Sequence, residues 1–108
     1  MDPRPRIIIV YRDGRGKRPF DEWFRALNPA TRAMVQVRLT RVSLGLLGDC
    51  KSLKGGLHEF RFAKAGLRVY FGIQHSDLVI LLGGGTKSNQ GRDIAKARRA
   101  WREFLSSI

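Results

Sequence analysis

Cysteine and histidine are scarce in this 108-residue sequence and long apolar runs are lacking, and these shortages exclude several classes of protein. One cysteine, Cys50, cannot form a disulfide framework, and with only His58 and His75 beside it the chain offers no recognisable zinc or haem ligand set. The longest strongly apolar run, residues 78–82, is far too short to cross a bilayer, and no long apolar signal segment opens the chain. We therefore expect one soluble, cytoplasmic domain over residues 1–108 that uses no metal, membrane or small-molecule cofactor.

Basic residues, by contrast, are abundant. The chain has 21 lysines and arginines against nine acidic residues, which gives a formal net charge of +12. A hydrophobic fraction of 43% is enough for a packed core and excludes wholesale disorder. So much positive charge on a small domain favours a polyanionic partner, above all a nucleic acid. The alternative is a charge surplus that only confers solubility.

Hydrophobic periodicity predicts helices in the first half of the chain. Residues 7–11 form an apolar, β-branched run that predicts a first strand. Pro19 opens a short helix whose apolar residues recur at i, i+3, i+4 and i+7. Asn28 and Pro29 then supply an N-cap and a first-turn proline for a second helix, which Gly45 ends. These two helices form a helical hairpin.

The second half changes to the period of strands. Residues 59–62 and 67–73 alternate between apolar and polar on either side of a hairpin-like Ala65-Gly66. Residues 78–82 are apolar at both odd and even positions, which predicts a strand covered on both faces. The glycines at 83–85 are expected to end this strand. A last amphipathic helix begins at about Gln90. The predicted order is β-α-α-β-β-β-α, in the α+β class.

Strand parity predicts a basic sheet face. If the alternating apolar residues face the core, Arg61 on one strand and Arg68 and Tyr70 on its neighbour share the opposite face. Lys51 and Lys54 precede the first of these strands in a predicted loop. Lysines and arginines bind phosphate, and an exposed tyrosine stacks on a base, so this face suits RNA binding and RNA cleavage. The alternative is that these arginines merely solvate the sheet.

Several segments of the chain together form a fairly specific pattern. They are FDEW at 20–23, LLGDCK at 46–51, LHEFR at 57–61, LRVYF at 67–71, LLGGGTKSNQ at 81–90 and DIAKA at 93–97. In this pattern the sequence resembles the RelE/ParE toxin superfamily, and most of all its HigB-like branch of small addiction module killer proteins. The resemblance covers about residues 7 to 105.

The resemblance implies the toxin of a type II toxin–antitoxin system, with an antiparallel sheet packed against the helical hairpin. It implies a cognate antitoxin as partner, together with the ribosome and mRNA. RelE-like members cleave mRNA on the ribosome without a metal, which inhibits translation and arrests growth. By this resemblance Arg61 and Arg68 contact the scissile phosphate, while Lys54 and Lys87 support substrate binding or proton transfer.

Further basic and aromatic residues are expected to bind RNA. They are Lys51, Tyr70, Arg92 and Lys96.

The chain departs from the superfamily pattern near its C-terminus. No tyrosine follows Tyr70 and no histidine follows His75, whereas RelE and HigB proteins commonly use such a residue in catalysis. ParE-like members inhibit DNA gyrase and need no nuclease site. A gyrase inhibitor and a non-catalytic nucleic-acid-binding or regulatory module therefore remain as alternatives to an endoribonuclease.

Overall fold

Within residues 3–107, the part of the chain that this computed structural model describes, five strands form one mixed sheet. The strand order is β1-β5-β4-β3-β2, with β1 parallel to β5 and the other neighbours antiparallel. The strands are β1 (Ile7–Val10), β2 (Cys50–Ser52), β3 (Leu57–Phe62), β4 (Leu67–Gln74) and β5 (Leu78–Thr86). The helices are α1 (Pro19–Arg25), α2 (Pro29–Ser43) and α3 (Gln90–Ser106). The prediction of one domain over 1–108 includes Met1, Asp2 and Ile108, which lie outside the described residues.

The α+β class and the helical hairpin are confirmed, but three predictions about the sheet are wrong. The sheet is mixed, not antiparallel, because no short turn joins β1 to β5 and their relative direction is unconstrained. The element order gains β2, a three-residue edge strand that carries no apolar alternation and was expected to be a loop. The glycines at 83–85 do not end β5, since each still pairs with a residue of β4.

The helical hairpin covers one face of the sheet. Asn28 caps α2 by accepting a hydrogen bond from the backbone N–H of Thr31 at 2.9 Å, as its position before Pro29 predicted. The inner face of α2 buries Val35, Leu39 and Val42. They pack against side chains of the sheet that include Phe60, Phe62, Val69, Phe71, Val79 and Leu81.

Helix α3 covers part of the other sheet face. Trp101 lies in the second half of α3 and donates from Nε1 to the carbonyl oxygen of Gly55 at 2.8 Å. A second core forms around Trp101, from Tyr11, Leu57, Tyr70, Ile80, Leu82 and Ala97. Residues 79–82 of β5 therefore contribute alternately to both cores, as their apolar run on both parities predicted. The face that carries the predicted basic site is consequently covered in part, and is not an open surface.

The Asn28 cap gives a direct test of the hairpin. Replacing Asn28 with alanine removes the acceptor for the Thr31 N–H, and we expect the free energy of unfolding to fall by about 1 kcal/mol in urea titrations. Asn28→Asp keeps an acceptor and should unfold like the wild type. Equal stability of Asn28→Ala and the wild type would show that the cap contributes nothing.

Candidate phosphate-binding cleft

Strand register brings the two predicted arginines together. Arg61 of β3 lies directly opposite Arg68 of β4, so both side chains start from the same sheet face, as parity predicted. Lys87 reaches the same end of the sheet because its backbone N–H donates to the carbonyl oxygen of Gly66 at 2.9 Å. A cavity of about 170 Å³ lies between these residues. Its lining residues are Asp49, Arg61, Ala63, Gly66, Arg68 and Lys87.

Arg61 forms the outer wall of this cavity, which is the candidate phosphate-binding cleft. Its Nε and Nη2 donate to Oδ1 of Asp49 at 3.1 and 2.8 Å, in a pair that is open to solvent. The hydrogen bond to Asp49 raises the pKa of Arg61 above its ordinary value, so the guanidinium stays charged. An exposed ion pair is weak in water, and an incoming phosphate can compete with Asp49 for the guanidinium.

Arg68 is more buried than the sequence suggested. Its side chain is 11% exposed, and its Nε lies 3.3 Å from Oε2 of Glu59, whose side chain is 1% exposed. The Nε–H does not point at that oxygen, so the contact is an ion pair and not a hydrogen bond. Nη1 donates to the carbonyl oxygen of Leu67 at 3.3 Å. The prediction of a freely exposed Arg68 is therefore wrong, because Glu59 holds it at the inner end of the cleft.

Glu59 is a neighbour of the cleft that the sequence analysis did not single out. It is buried, and Gln90 at the start of α3 donates from Nε2 to both of its carboxylate oxygens at 3.4 Å. The available signal was a lone acid at the same parity as Arg61 on a basic face. Since a buried carboxylate requires partners, the parity of Glu59 could have indicated its pairing with Arg68.

Tyr70 does not offer a stacking surface. It is 1% exposed beneath α3, and burial together with the charges of Glu59 and Asp93 raises its pKa to about 12. The hydroxyl is therefore protonated at neutral pH. Among residues 3–107 it has no hydrogen-bond partner. The prediction that Tyr70 stacks on an exposed base is wrong, because the parity rule identifies the face of a residue but not what covers it.

The remaining predicted site residues lie outside the cleft. Lys54 is at the turn between β2 and β3, where its carbonyl oxygen accepts from Arg98, and the length of β3 separates it from Arg61 by about 13 Å. Lys54 is thus not a neighbour of the other three predicted catalytic residues. Lys51 is exposed on β2 opposite Glu59. Arg92 and Lys96 are exposed on α3, and Lys96 lines a different cavity.

One relative shows the family to which the chain belongs. The chain is 42% identical over 81 residues to an uncharacterized protein of Haemophilus influenzae, in an alignment that covers 73% of this chain and 82% of the relative. The chain belongs to the family of that protein. No family model matches the sequence.

The described part of the chain lacks two features, a cluster of metal ligands and a membrane-spanning helix. Residues 3–107 contain no cluster of three or more histidine, cysteine, aspartate or glutamate side chains that could hold a metal ion. No helix within the same residues is long and apolar enough to cross a membrane. The charged residues that line the candidate cleft are Arg61, Arg68, Lys87 and the one carboxylate, Asp49.

Proposed function

We propose that this protein is the toxin of a type II toxin–antitoxin system, an endoribonuclease of the RelE/ParE superfamily that cleaves mRNA on the ribosome. One observation carries the proposal: Arg61, Arg68 and Lys87, which come from two strands and the segment after β5, line a single cleft. The formal net charge of +12 supports a polyanionic substrate.

The cleft has the groups that transesterification of RNA requires. The 2′-oxygen forms a bond to phosphorus and the bond to the 5′-oxygen breaks, which leaves a 2′,3′-cyclic phosphate and a 5′-hydroxyl. Arg61 and Arg68 stabilise the extra negative charge that develops on the phosphate in the transition state. Asp49 is the carboxylate that lines the cleft and is the candidate acceptor of the 2′-hydroxyl proton, while Lys87 donates a proton to the leaving oxygen.

A groove beside the cleft fits the expected antitoxin. It measures about 610 Å³ and runs between α2 and the end of β3, over exposed Met34 and Val37. Its basic residues are Arg38, Arg41, Arg61 and Lys64. An amphipathic antitoxin segment with acidic residues complements this mixture of apolar and basic surface. Because Arg61 lines both groove and cleft, a segment bound in the groove covers the site.

Inhibition of DNA gyrase is the second candidate function, and a non-catalytic nucleic-acid-binding or regulatory module is the third. Two observations favour these over a nuclease. Tyr70 is buried, and both arginines of the cleft already have a carboxylate partner.

Inducible expression with mapping of mRNA 5′ ends tests the proposal. Expression without an antitoxin should arrest growth and create new 5′-hydroxyl ends inside translated reading frames. Lys87→Ala should reduce this cleavage on the order of 10²-fold, because it removes a cation and a proton donor from the cleft. Arg25→Ala removes an equal charge at the end of α1 and should leave cleavage unchanged.

Two results would contradict the nuclease. Normal growth despite accumulation of the folded protein would argue against any toxin. Inhibition of supercoiling with intact mRNA ends would identify the gyrase inhibitor instead.

A further inference from the structure

One arginine of α2 lies behind the outer wall of the cleft. Arg38 is half-buried, and its Nη2 donates to the carbonyl oxygen of Arg61 at 2.9 Å. Its Nη1 donates to the carbonyl oxygen of Asp49 at 3.4 Å. Arg38 lines the groove beside the cleft but does not line the cleft itself. It therefore contacts the backbone of two cleft residues from outside the cleft.

The guanidinium of Arg38 is confined by its surroundings. Its Cζ lies 4.5 Å from the centre of the Phe62 ring, in a cation–π contact. Gly48 also passes close, since a Cβ atom there would stand 3.3 Å from Cζ and Nε of Arg38. Burial lowers the pKa of Arg38 from its ordinary value, and the charge of Asp49 opposes this change. A guanidinium held in this way can fix the position of the atoms that it contacts.

The two carbonyl groups that Arg38 contacts lie at the end of an edge strand. The backbone N–H of Arg61 donates to the carbonyl oxygen of Asp49 at 2.9 Å, one residue before β2 begins at Cys50. The carbonyl oxygen of Asp49 thus accepts from both Arg61 and Arg38. Strand ends at the edge of a sheet open easily, because few contacts hold them. Arg38 adds a contact from α2 at this end.

The same backbone carries the ion pair of the cleft. Nη2 of Arg61 lies 2.8 Å from Oδ1 of Asp49, and both side chains are open to solvent. An exposed ion pair is weak and does not hold two side chains in one geometry by itself. The placement of the two backbone segments therefore decides where this guanidinium and this carboxylate lie in the cleft.

We propose that Arg38 is a positioning residue for the cleft, which keeps Asp49 and Arg61 paired by fixing the backbone of both. The proposed cleavage depends on such placement, since a displacement of about 1 Å can lower a rate on the order of 10²-fold. The catalytic part of this inference rests on the proposed function. The structural part does not, because it concerns an ion pair of the free protein.

Nitrogen-15 NMR of the full-length chain tests the structural part without a substrate. The Nε–H of Arg61, assigned by the loss of its signal in Arg61→Lys, exchanges slowly with water while it donates to Asp49. In Arg38→Met this exchange should become about ten-fold faster, the factor that corresponds to the loss of one hydrogen bond to a charged group. Methionine keeps a long apolar side chain beside Phe62 but has no donor.

Arg32→Met is the matched control. Arg32 also lies on α2, is half-buried, and donates from Nη1 to the carbonyl oxygens of Leu27 and Arg25 at 2.7 and 3.3 Å. This variant loses the same charge and the same kind of hydrogen bond away from the cleft, so the exchange at Arg61 should stay unchanged.

A second substitution keeps the test decisive if Arg38→Met does not fold, which circular dichroism shows. Arg38→Lys keeps the charge but has one nitrogen in place of two. It should retain only one of the two contacts with the carbonyl oxygens of Asp49 and Arg61. We expect an exchange rate at Arg61 between those of the wild type and Arg38→Met.

Single-turnover cleavage of mRNA on purified ribosomes, with the protein in excess, tests the catalytic part. At saturating protein, Arg38→Met should cleave about ten-fold more slowly than the wild type, with a half-saturating concentration equal to that of Arg32→Met. Partial unfolding would instead raise the apparent half-saturating concentration and leave the saturated rate constant unchanged. In an Asp49→Asn background, Arg38→Met should cause little further loss, because the pair that it positions is already broken.

Each part has results that would overturn it. Unchanged exchange at Arg61 in a folded Arg38→Met or Arg38→Lys protein would overturn the proposal. A saturated rate equal to that of Arg32→Met would refute the positioning role and leave the nuclease intact, and so would an equal loss in the Asp49→Asn background. Faster exchange in Arg38→Met, without cleavage by the wild type, would support the positioning of the ion pair and refute the nuclease.

Discussion

Replacing Arg68 with alanine should lower the free energy of unfolding by about 3–5 kcal/mol, because it leaves the Glu59 carboxylate buried without its cation. The strand pattern by itself indicates a much smaller effect, since it places Arg68 on an exposed face. The structure overturns that expectation, because the Arg68 side chain is 11% exposed and that of Glu59 is 1% exposed. Urea unfolding monitored by circular dichroism measures the difference.

Two further variants test whether the loss of stability comes from breaking the Glu59–Arg68 ion pair or simply from removing an arginine on this sheet face. The double variant Glu59→Gln/Arg68→Met removes both charges and should recover most of the stability that Arg68→Ala loses. Removing one member of a buried ion pair leaves a charge without a partner, whereas replacing both members with neutral side chains does not. Arg61→Ala, on the opposite strand, removes an exposed arginine and should change stability little. An Arg68→Ala protein as stable as the wild type would show that Glu59 does not need this partner.

The same position also bears on catalysis. Arg68→Lys keeps the charge beside Glu59 but loses the planar pair of donors, so it should fold and retain ribosome binding better than cleavage. We expect a loss of cleavage on the order of 10²-fold, measured as new mRNA 5′ ends. Full cleavage by a folded Arg68→Lys protein would place the scissile phosphate away from Arg68.

The sequence predicts elements of this fold better than it predicts their surroundings. Asn28, Pro29 and the apolar spacing of α2 specify a helix through local rules, and the structure confirms it. Strand parity correctly put Arg61 and Arg68 on one face, because alternation is also local. The burial of that face beneath α3 depends on contacts between residues far apart in sequence, and local patterns do not report such contacts.

The same distinction explains the errors in the candidate site. Lys54 and Lys87 both flank strands and look equivalent in the sequence, but they lie at opposite ends of β3 and β4. Only the register of the strands shows that Lys87 alone joins the arginines. Glycines carried a further signal, since a glycine inside a strand often marks a close approach by another part of the chain. Gly72 and Gly84 mark contacts with Trp101 and Trp23 respectively.

Gly72→Ala should destabilise the protein by about 3 kcal/mol, at the upper end of the usual cost of overpacking a core. A Cβ atom at Gly72 would stand 2.2 Å from Cζ3 and 2.3 Å from Cε3 of Trp101. The indole cannot retreat easily, because it is buried and its Nε1 donates to the carbonyl oxygen of Gly55. Urea unfolding gives the loss of stability.

Gly91→Ala is the matched control, since Gly91 lies in the first turn of α3 and a Cβ there meets no described atom within 4 Å, so stability should change little. A double-mutant cycle with Trp101→Leu isolates the contact, because a smaller side chain at 101 leaves room for the new methyl group. Gly72→Ala should then cost much less in the Trp101→Leu background than in the wild type. If Gly72→Ala lowers the free energy of unfolding equally in both backgrounds, the contact with Trp101 is not the cause. The backbone of β4 would then require glycine at position 72, and the packing of α3 on the sheet would not depend on the missing side chain of Gly72.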